Sequence, residues 1–270
     1  MSHFKAEPSP QREEEHNTSS LSSSERLKLG LNARLHLITG KGGVGRTSVT
    51  VALGEAMADR GLKTLILEPA DADGGESMLG RAVNASRLSE VPLKLRGSLF
   101  VGQLVARVGH DRFLRSILPI KKLISAALDS KPLSRFLASA PSMYELGLFY
   151  HLWLILEETD FDRVIIDLPA TGHTLALTQL PAQIERIIRR GHVVEALKKG
   201  GDFISDPARC AAWIVTLPER LPVSEALDLA QALTQDRISP AGFIMNRAAC
   251  SSPSDRTRAA LHSFYRANPH

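Results

Sequence analysis

The sequence predicts a doubly wound α/β fold, a mostly parallel sheet covered by helices on both faces, with a helical subdomain inserted between strands. Three observations predict it. Apolar runs of strand length alternate with helical stretches, the pattern of a parallel sheet buried on both sides. The first run leads directly into a glycine-rich loop that opens a helix. Residues 105–150 then interrupt the alternation with helical segments cut by Pro119, Pro132 and Pro141.

The elements follow in order. Residues 1–26 carry serines (LSSSE), Pro8, Pro10 and the charged run REEEH, with few apolar side chains. Such a stretch buries too little surface to offset its ordering entropy. We therefore read 1–30 as a disordered tail and 31–270 as one domain. RLHLIT (34–39) is the first strand. TSVTVALGEAMADR (47–60) has helical periodicity and stops at Gly61. KTLILE (63–68), SLFVGQL (98–104), DRVIIDL (162–168), AAWIVTL (211–217) and AGFIMN (241–246) are the later strands, and VSEALDLAQALTQ (223–235) is a helix between the last two. Ligands of such sheets sit at the carboxyl ends of the strands. Thr39, Glu68, Asp167, Thr216 and Asn246 all stand at or just beyond those ends.

The loop TGKGGVGRTS (39–48) nearly spells G-x-x-x-x-G-K-[ST], with Arg46 in the lysine slot. Gly40, Gly42, Gly43 and Gly45 let the backbone approach phosphates and turn its N–H groups inward, with Val44 inside the same turn. The helix that follows aims its positive end at the same point. Thr47 occupies the hydroxyl position that holds Mg²⁺, and Ser48 can bond a phosphate oxygen. Asp167 ends the strand RVIID, where a carboxylate holds Mg²⁺ through water. The ligands expected are ATP or ADP with Mg²⁺.

GKGGVG-[KR]-T resembles the deviant Walker A loop of the ParA, MinD and ArsA group. In that group the extra lysine, here Lys41, crosses a dimer interface to the partner's nucleotide. DLPATGHTLALTQLP (167–181) resembles the D-x-x-x-T-G-H-T-L…L-P switch of ArsA-type ATPases, the arsenite-pump and tail-anchored-protein-delivery family. VTLPERLPVSEALDLAQAL (215–233) resembles that family's P-E-x-L-x-x-x-E segment, and PSMYELGLF (141–149) its P-G-x-x-E region. FIMNR (243–247) resembles the strand whose asparagine, here Asn246, reads adenine. The resemblance covers about residues 34–250 in matching order. It implies an ATP-binding, dimerising switch with Lys41, Glu68 and Asp167 in catalytic roles, Thr47 and Asp167 at the metal, and the loop from Gly40 to Ser48 at the phosphates.

Three departures from the family pattern shape the expectation. Arg46 offers a wide planar fork where lysine offers a compact ammonium, and the two are not interchangeable in a tight loop. Losing a charged hydrogen bond of about 2 kcal/mol weakens binding roughly 30-fold, and a transition state suffers more. By motif, Glu68-Pro69-Ala70 matches the family's D-P-A; by ungapped counting from Gly61, Ala70 takes the aspartate's place, and Asp71 and Asp73 follow. The register of this switch carboxylate stays open. Finally, the family continues past the asparagine through another adenine-facing loop, whereas here His270 comes soon after Asn246. Arg46 and the altered switch lead us to expect slow or impaired hydrolysis. The alternatives are a pseudo-ATPase subunit paired with a hydrolysis-competent paralogue, lending Lys41 across the interface, and a ParA- or MinD-like positioning protein.

Bulk properties bound the remaining possibilities. No apolar run approaches the roughly 18 residues of a membrane span, and residues 1–26 lack the apolar core of a signal peptide. Cys210 and Cys250 form no C-x-x-C pair, so a reducing cytoplasm is expected. The arsenite thiol cluster and the chaperone's zinc C-x-x-C are absent, and 105–150 holds one methionine, Met143, too few for a methionine-rich client groove. A protein client remains possible on an apolar face of Leu114, Ile117, Leu118, Leu123 and Ile124. A net charge of +4 and the basic run ERIIRRGHVVEALKKG (185–200) read as a solvated helix face rather than a site for nucleic acid or membrane.

Overall fold

In a computed structural model the described residues are 22–70, 76–85, 87–117, 143–169 and 192–248, with Arg256, Ser263 and Arg266 as single helical positions. Among the described residues seven strands form one sheet: β1 (Leu35–Gly40), β2 (Thr64–Pro69), β3 (Leu93–Arg96), β4 (Leu99–Leu104), β5 (Arg163–Asp167), β6 (Cys210–Thr216) and β7 (Pro240–Met245). Their order is β3-β4-β2-β5-β1-β6-β7. All neighbours run parallel except β3 and β4. The central strands β1 and β6 are buried at every position, as their unbroken apolar runs require.

Seven helices have described ranges: α1 (Ser23–Asn32), α2 (Arg46–Ala58), α3 (Met78–Ala82), α4 (Ala106–Ile117), α5 (Met143–Glu158), α6 (His192–Ser205) and α7 (Arg220–Gln235). They make two layers. On one face, Leu35, Leu37, Leu65, Leu67, Val164 and Ile166 pack against α4, α5, α6 and α7. On the other, Ile38, Ile66, Ile165 and Trp213 pack against α2 and α3. The alternation of partners along each strand is the period-two geometry of a sheet with both faces covered.

Four features depart from the sequence reading. Residues 23–30, assigned to the tail, belong to α1. The S-x-x-E signal was already present in LSSSE: Ser22 accepts from the Glu25 amide at 3.3 Å while Glu25 bonds back to the Ser22 amide at 2.8 Å. Gly30 of this helix is buried against Trp213 and Ala241. Second, the short antiparallel β3 was not foreseen; its LKLR is exposed on alternate faces of an edge strand and carries little apolar signal. Third, α5 runs past the expected end of the insertion to Glu158, and its buried face and Phe113 of α4 join the core on the sheet. Fourth, α3 lies where no helix was expected.

The helices α4 and α5 cross at backbone contact. A Cβ on Gly109 would stand 1.8 Å from the Gly147 carbonyl oxygen, and one on Gly147 2.3 Å from that of Ala106. Only hydrogen fits at either position. His110 Nε2 lies 2.6 Å from the Met143 carbonyl oxygen beside this crossing, and the Val105 amide donates to His151 Nδ1 at 3.0 Å. Burial holds the His151 imidazole at about 4, and it pushes His110 down as well. His36, in the middle of β1, is likewise held at about 4, first by burial and then by the Arg163 charge; its Nδ1 accepts from Trp213 Nε1 at 3.1 Å.

Candidate nucleotide site

The strand order sets the site. β5 and β6 flank β1, so the loop leaving β1 opens at the carboxyl end of the sheet where connections diverge to opposite sides. Gly43 and Gly45 take φ values of +81° and +88°, which other residues rarely adopt. A Cβ on Gly42 or Gly43 would meet no atom within 4 Å, so this stretch of backbone faces open space. Val44 is turned inward and buried. Arg46, Thr47 and Ser48 begin α2, whose first N–H groups point out of the loop.

Thr47 Oγ1 donates to Asp167 Oδ2 at 2.5 Å. This contact joins the start of α2 to the end of β5. Asp167 is buried, and its second oxygen, Oδ1, has no partner. Burial raises the Asp167 carboxyl above the usual range; the Thr47 hydroxyl, the Arg46 charge and the Thr50 hydroxyl oppose the shift, and the nearby Glu68 charge adds to it. An unpartnered buried carboxylate oxygen beside a hydroxyl, at the head of a glycine loop, has the donor chemistry of a hydrated Mg²⁺ site. The residues therefore fit the Mg²⁺–nucleotide group that the sequence implies.

Arg46 does not extend over the open loop. Its guanidinium donates to the carbonyl of Leu168, the residue after Asp167. Burial pulls Arg46 below its ordinary range while Asp167 opposes that shift; the side chain remains a cation. Glu68 is also engaged: it accepts from Ser77 Oγ at 2.5 Å, the Met78 amide at 3.0 Å and the Leu79 amide at 3.3 Å, capping the start of α3. Asn246 Nδ2 donates to the Val44 carbonyl at 2.8 Å, and its own amide bonds Thr216 at 2.8 Å. The asparagine thus ties the end of β7 to the loop. Lys41 forms an ion pair with Glu225 of α7.

The description of the anion-transporting ATPases matches residues 33–195 of this chain. The chain belongs to that family, the ArsA-type ATPases. An arsenical pump-driving ATPase of Escherichia coli is 29% identical over 220 residues, which are 78% of this chain and 34% of that protein. The ATPase BagA of Mycobacterium tuberculosis (strain ATCC 25618 / H37Rv) is 22% identical over 253 residues, 84% of this chain and 69% of that one. A putative arsenical pump-driving ATPase 2 of Aquifex aeolicus is 24% identical over 255 residues, 82% of each chain. The chain spans about a third of the length of the Escherichia coli relative.

As an ArsA-type chain, it brings Lys41, Arg46, Thr47, Asp167, Glu68 and Asn246 to the carboxyl end of one sheet. The switch residues beyond Pro169, together with Asp71 and Asp73, lie outside the described residues, as do Leu118, Leu123, Ile124 and the side chains of Leu114 and Ile117. So do Arg186, Arg189 and Arg190 of the basic run; Lys198 and Lys199 are exposed on α6. Among the described residues no group of three or more metal-binding side chains occurs and no helix is long and apolar enough to cross a membrane. Sequence reasoning missed Ser77, Glu225 and the Leu168 carbonyl. Ser77 stands before the apolar pair Met78–Leu79 in an N-cap position, and Glu225 closes the P-E-x-L-x-x-x-E segment; the carbonyl has no sequence signal.

Proposed function

We propose that this chain is an ATP-binding, dimerising switch of the ArsA-type family whose hydrolysis is slow. The observation that carries the reading is the Thr47–Asp167 contact with its unpartnered Oδ1, set beside a loop whose glycine backbone faces open space. Thr47 and, through water, Asp167 would hold Mg²⁺, which would supply charge neutralisation at the β- and γ-phosphates. The backbone N–H groups from Gly42 to Thr47 and the Ser48 hydroxyl would hold the phosphates. Asn246, already on the loop, would face the adenine. Lys41 would reach the nucleotide of a second copy or of a paralogue. The expected setting is the cytoplasm.

Arg46 supports the slow turnover. Its guanidinium is committed to the Leu168 carbonyl, so reaching the phosphates requires giving up a charged hydrogen bond. Glu68, capping α3, likewise has to leave three donors before it can orient water. These two commitments also favour the second reading, a nucleotide-binding subunit whose paralogous partner carries the hydrolysis. Calorimetry tests the common core of both. Mg-ATP or Mg-ADP is expected to bind with a dissociation constant on the order of micromolar. Absence of heat and of any thermal shift at millimolar nucleotide would refute it.

A further inference from the structure

We infer that Glu225 is a latch on Lys41, holding the lysine within its own chain until nucleotide-driven association pulls it free. The inference rests on the proposed nucleotide-dependent pairing and assigns a residue that controls it. Lys41 stands on the loop after β1 and Glu225 on the second turn of α7, which follows β6; the parallel pairing of β1 with β6 brings the two together. Their charged ends form an ion pair. The Lys41 side chain is 52% exposed and that of Glu225 29%. The lysine is thus free to swing on its flexible stem, while the carboxylate is fixed by the helix.

The two oxygens of Glu225 differ. Oε1 takes the lysine; Oε2 is buried and has no hydrogen-bond partner. Lys41 is therefore the hydrogen-bonded cation that offsets the burial of this carboxylate. When the lysine leaves, Glu225 keeps a partly buried charge without compensation, which costs more than separating two solvated ions. A lysine that crosses to a neighbouring phosphate has to overcome that cost. The bound phosphates supply a competing anion of higher charge, so the latch opens when nucleotide and a second chain are both present. The pair makes association conditional, a restraint that lysine exposure alone would not impose.

Glu225→Gln keeps the shape and removes the charge; Glu225→Asp keeps the charge and shortens the reach, and serves if the glutamine variant folds poorly. Light scattering across a Mg-ATP series reads the midpoint of dimer formation. The latch predicts that Glu225→Gln lowers the midpoint about two- to fivefold, with a smaller change of the same sign for Glu225→Asp. In a Lys41→Ala background the same substitution is expected to do nothing. A dimer that forms only in the glutamine variant would also support the latch. An unchanged midpoint, a raised one, or no dimer in any variant at millimolar Mg-ATP would overturn it.

A second readout needs no nucleotide. A double-mutant cycle of Lys41→Ala and Glu225→Gln on thermal unfolding of the free chain is expected to show a salt-sensitive coupling of about 1–2 °C. Coupling without any calorimetric Mg-ATP binding would leave the ion pair standing and sink the nucleotide reading. Zero coupling with normal Mg-ATP binding would do the reverse.

Discussion

The α4–α5 crossing and the middle of the phosphate loop are both built on glycine, and they use it in opposite ways; at the ends of the loop a Cβ on Gly40 or Gly45 would stand 2.3 Å from the Val215 carbonyl oxygen or from Asn246 Nδ2. At the crossing, Gly109 and Gly147 remove side chains so that two backbones meet, and nothing else fits. At the loop, Gly42 and Gly43 remove side chains and leave open space in front of the backbone. The crossing is closed, with His110 and His151 hydrogen-bonded beside it and kept neutral by burial. The loop is ringed by charge: Arg46, Lys41, Glu68 and Asp167 each hold an internal partner, while Asp167 Oδ1 holds none. One region is finished on folding; the other holds internal contacts that, under the proposed function, a ligand would displace.

The most severe way to break this contrast is to fill the closed region. Gly109→Val would force a side chain into the Gly147 carbonyl and separate α4 from α5. We expect a loss of at least about 3 kcal/mol in denaturant unfolding, or no folded protein. Gly43→Ala at the open loop meets no atom, and its cost should be confined to the positive φ, about 1 kcal/mol. Equal losses at the two sites would erase the distinction.

Acid attacks the closed core next. His36 and His151 have folded values of about 4, below the unfolded value near 6.5. Between those limits the unfolded chain binds more protons, so stability falls as pH drops from about 6.5 to 4 and levels off below. Each histidine accounts for up to about 3 kcal/mol of that loss. His36→Gln and His151→Gln should each flatten the unfolding profile over this window, whatever their effect at pH 7. A profile as steep as that of the parent would contradict the neutral, buried assignment.

At the open site, Asp167→Asn is expected to weaken Mg-nucleotide binding about 10- to 100-fold, the range for disturbing a metal's hydrogen-bonded surroundings. It should also raise the stability of the free chain, because it removes a buried carboxylate whose protonation burial already favours. Opposite signs for binding and stability in one variant are what a ligand-ready site requires; a fall in both would make Asp167 an ordinary structural residue.

Much of the fold was legible because the strands of a sheet buried on both faces read as plain apolar runs; RLHLIT, KTLILE and RVIID lie within a residue of β1, β2 and β5. The loop and Asp167 were legible because glycine spacing and a strand-ending carboxylate are local signals. The helix α1 was misread because composition outweighed the Ser22–Glu25 capping box. The internal partners were not legible at all. The Arg46 contact ends on a backbone carbonyl, and that of Lys41 on a residue 184 positions away. Both depend on which strands lie side by side, which no local pattern encodes.

The central proposal concerns Arg46: the loop would bind nucleotide, and its arginine, drawn to the Leu168 carbonyl, would keep chemistry slow. Steady-state Mg-ATP turnover by the purified chain and its Arg46→Lys variant, measured side by side, tests it most directly. Replacing the fork by a compact ammonium is expected to raise turnover roughly tenfold or more, equivalent to about 1.4 kcal/mol of transition-state stabilisation. Tighter nucleotide binding with flat turnover would instead favour the paralogue-dependent subunit. A parent chain that already turns over as fast as the lysine variant would contradict the account.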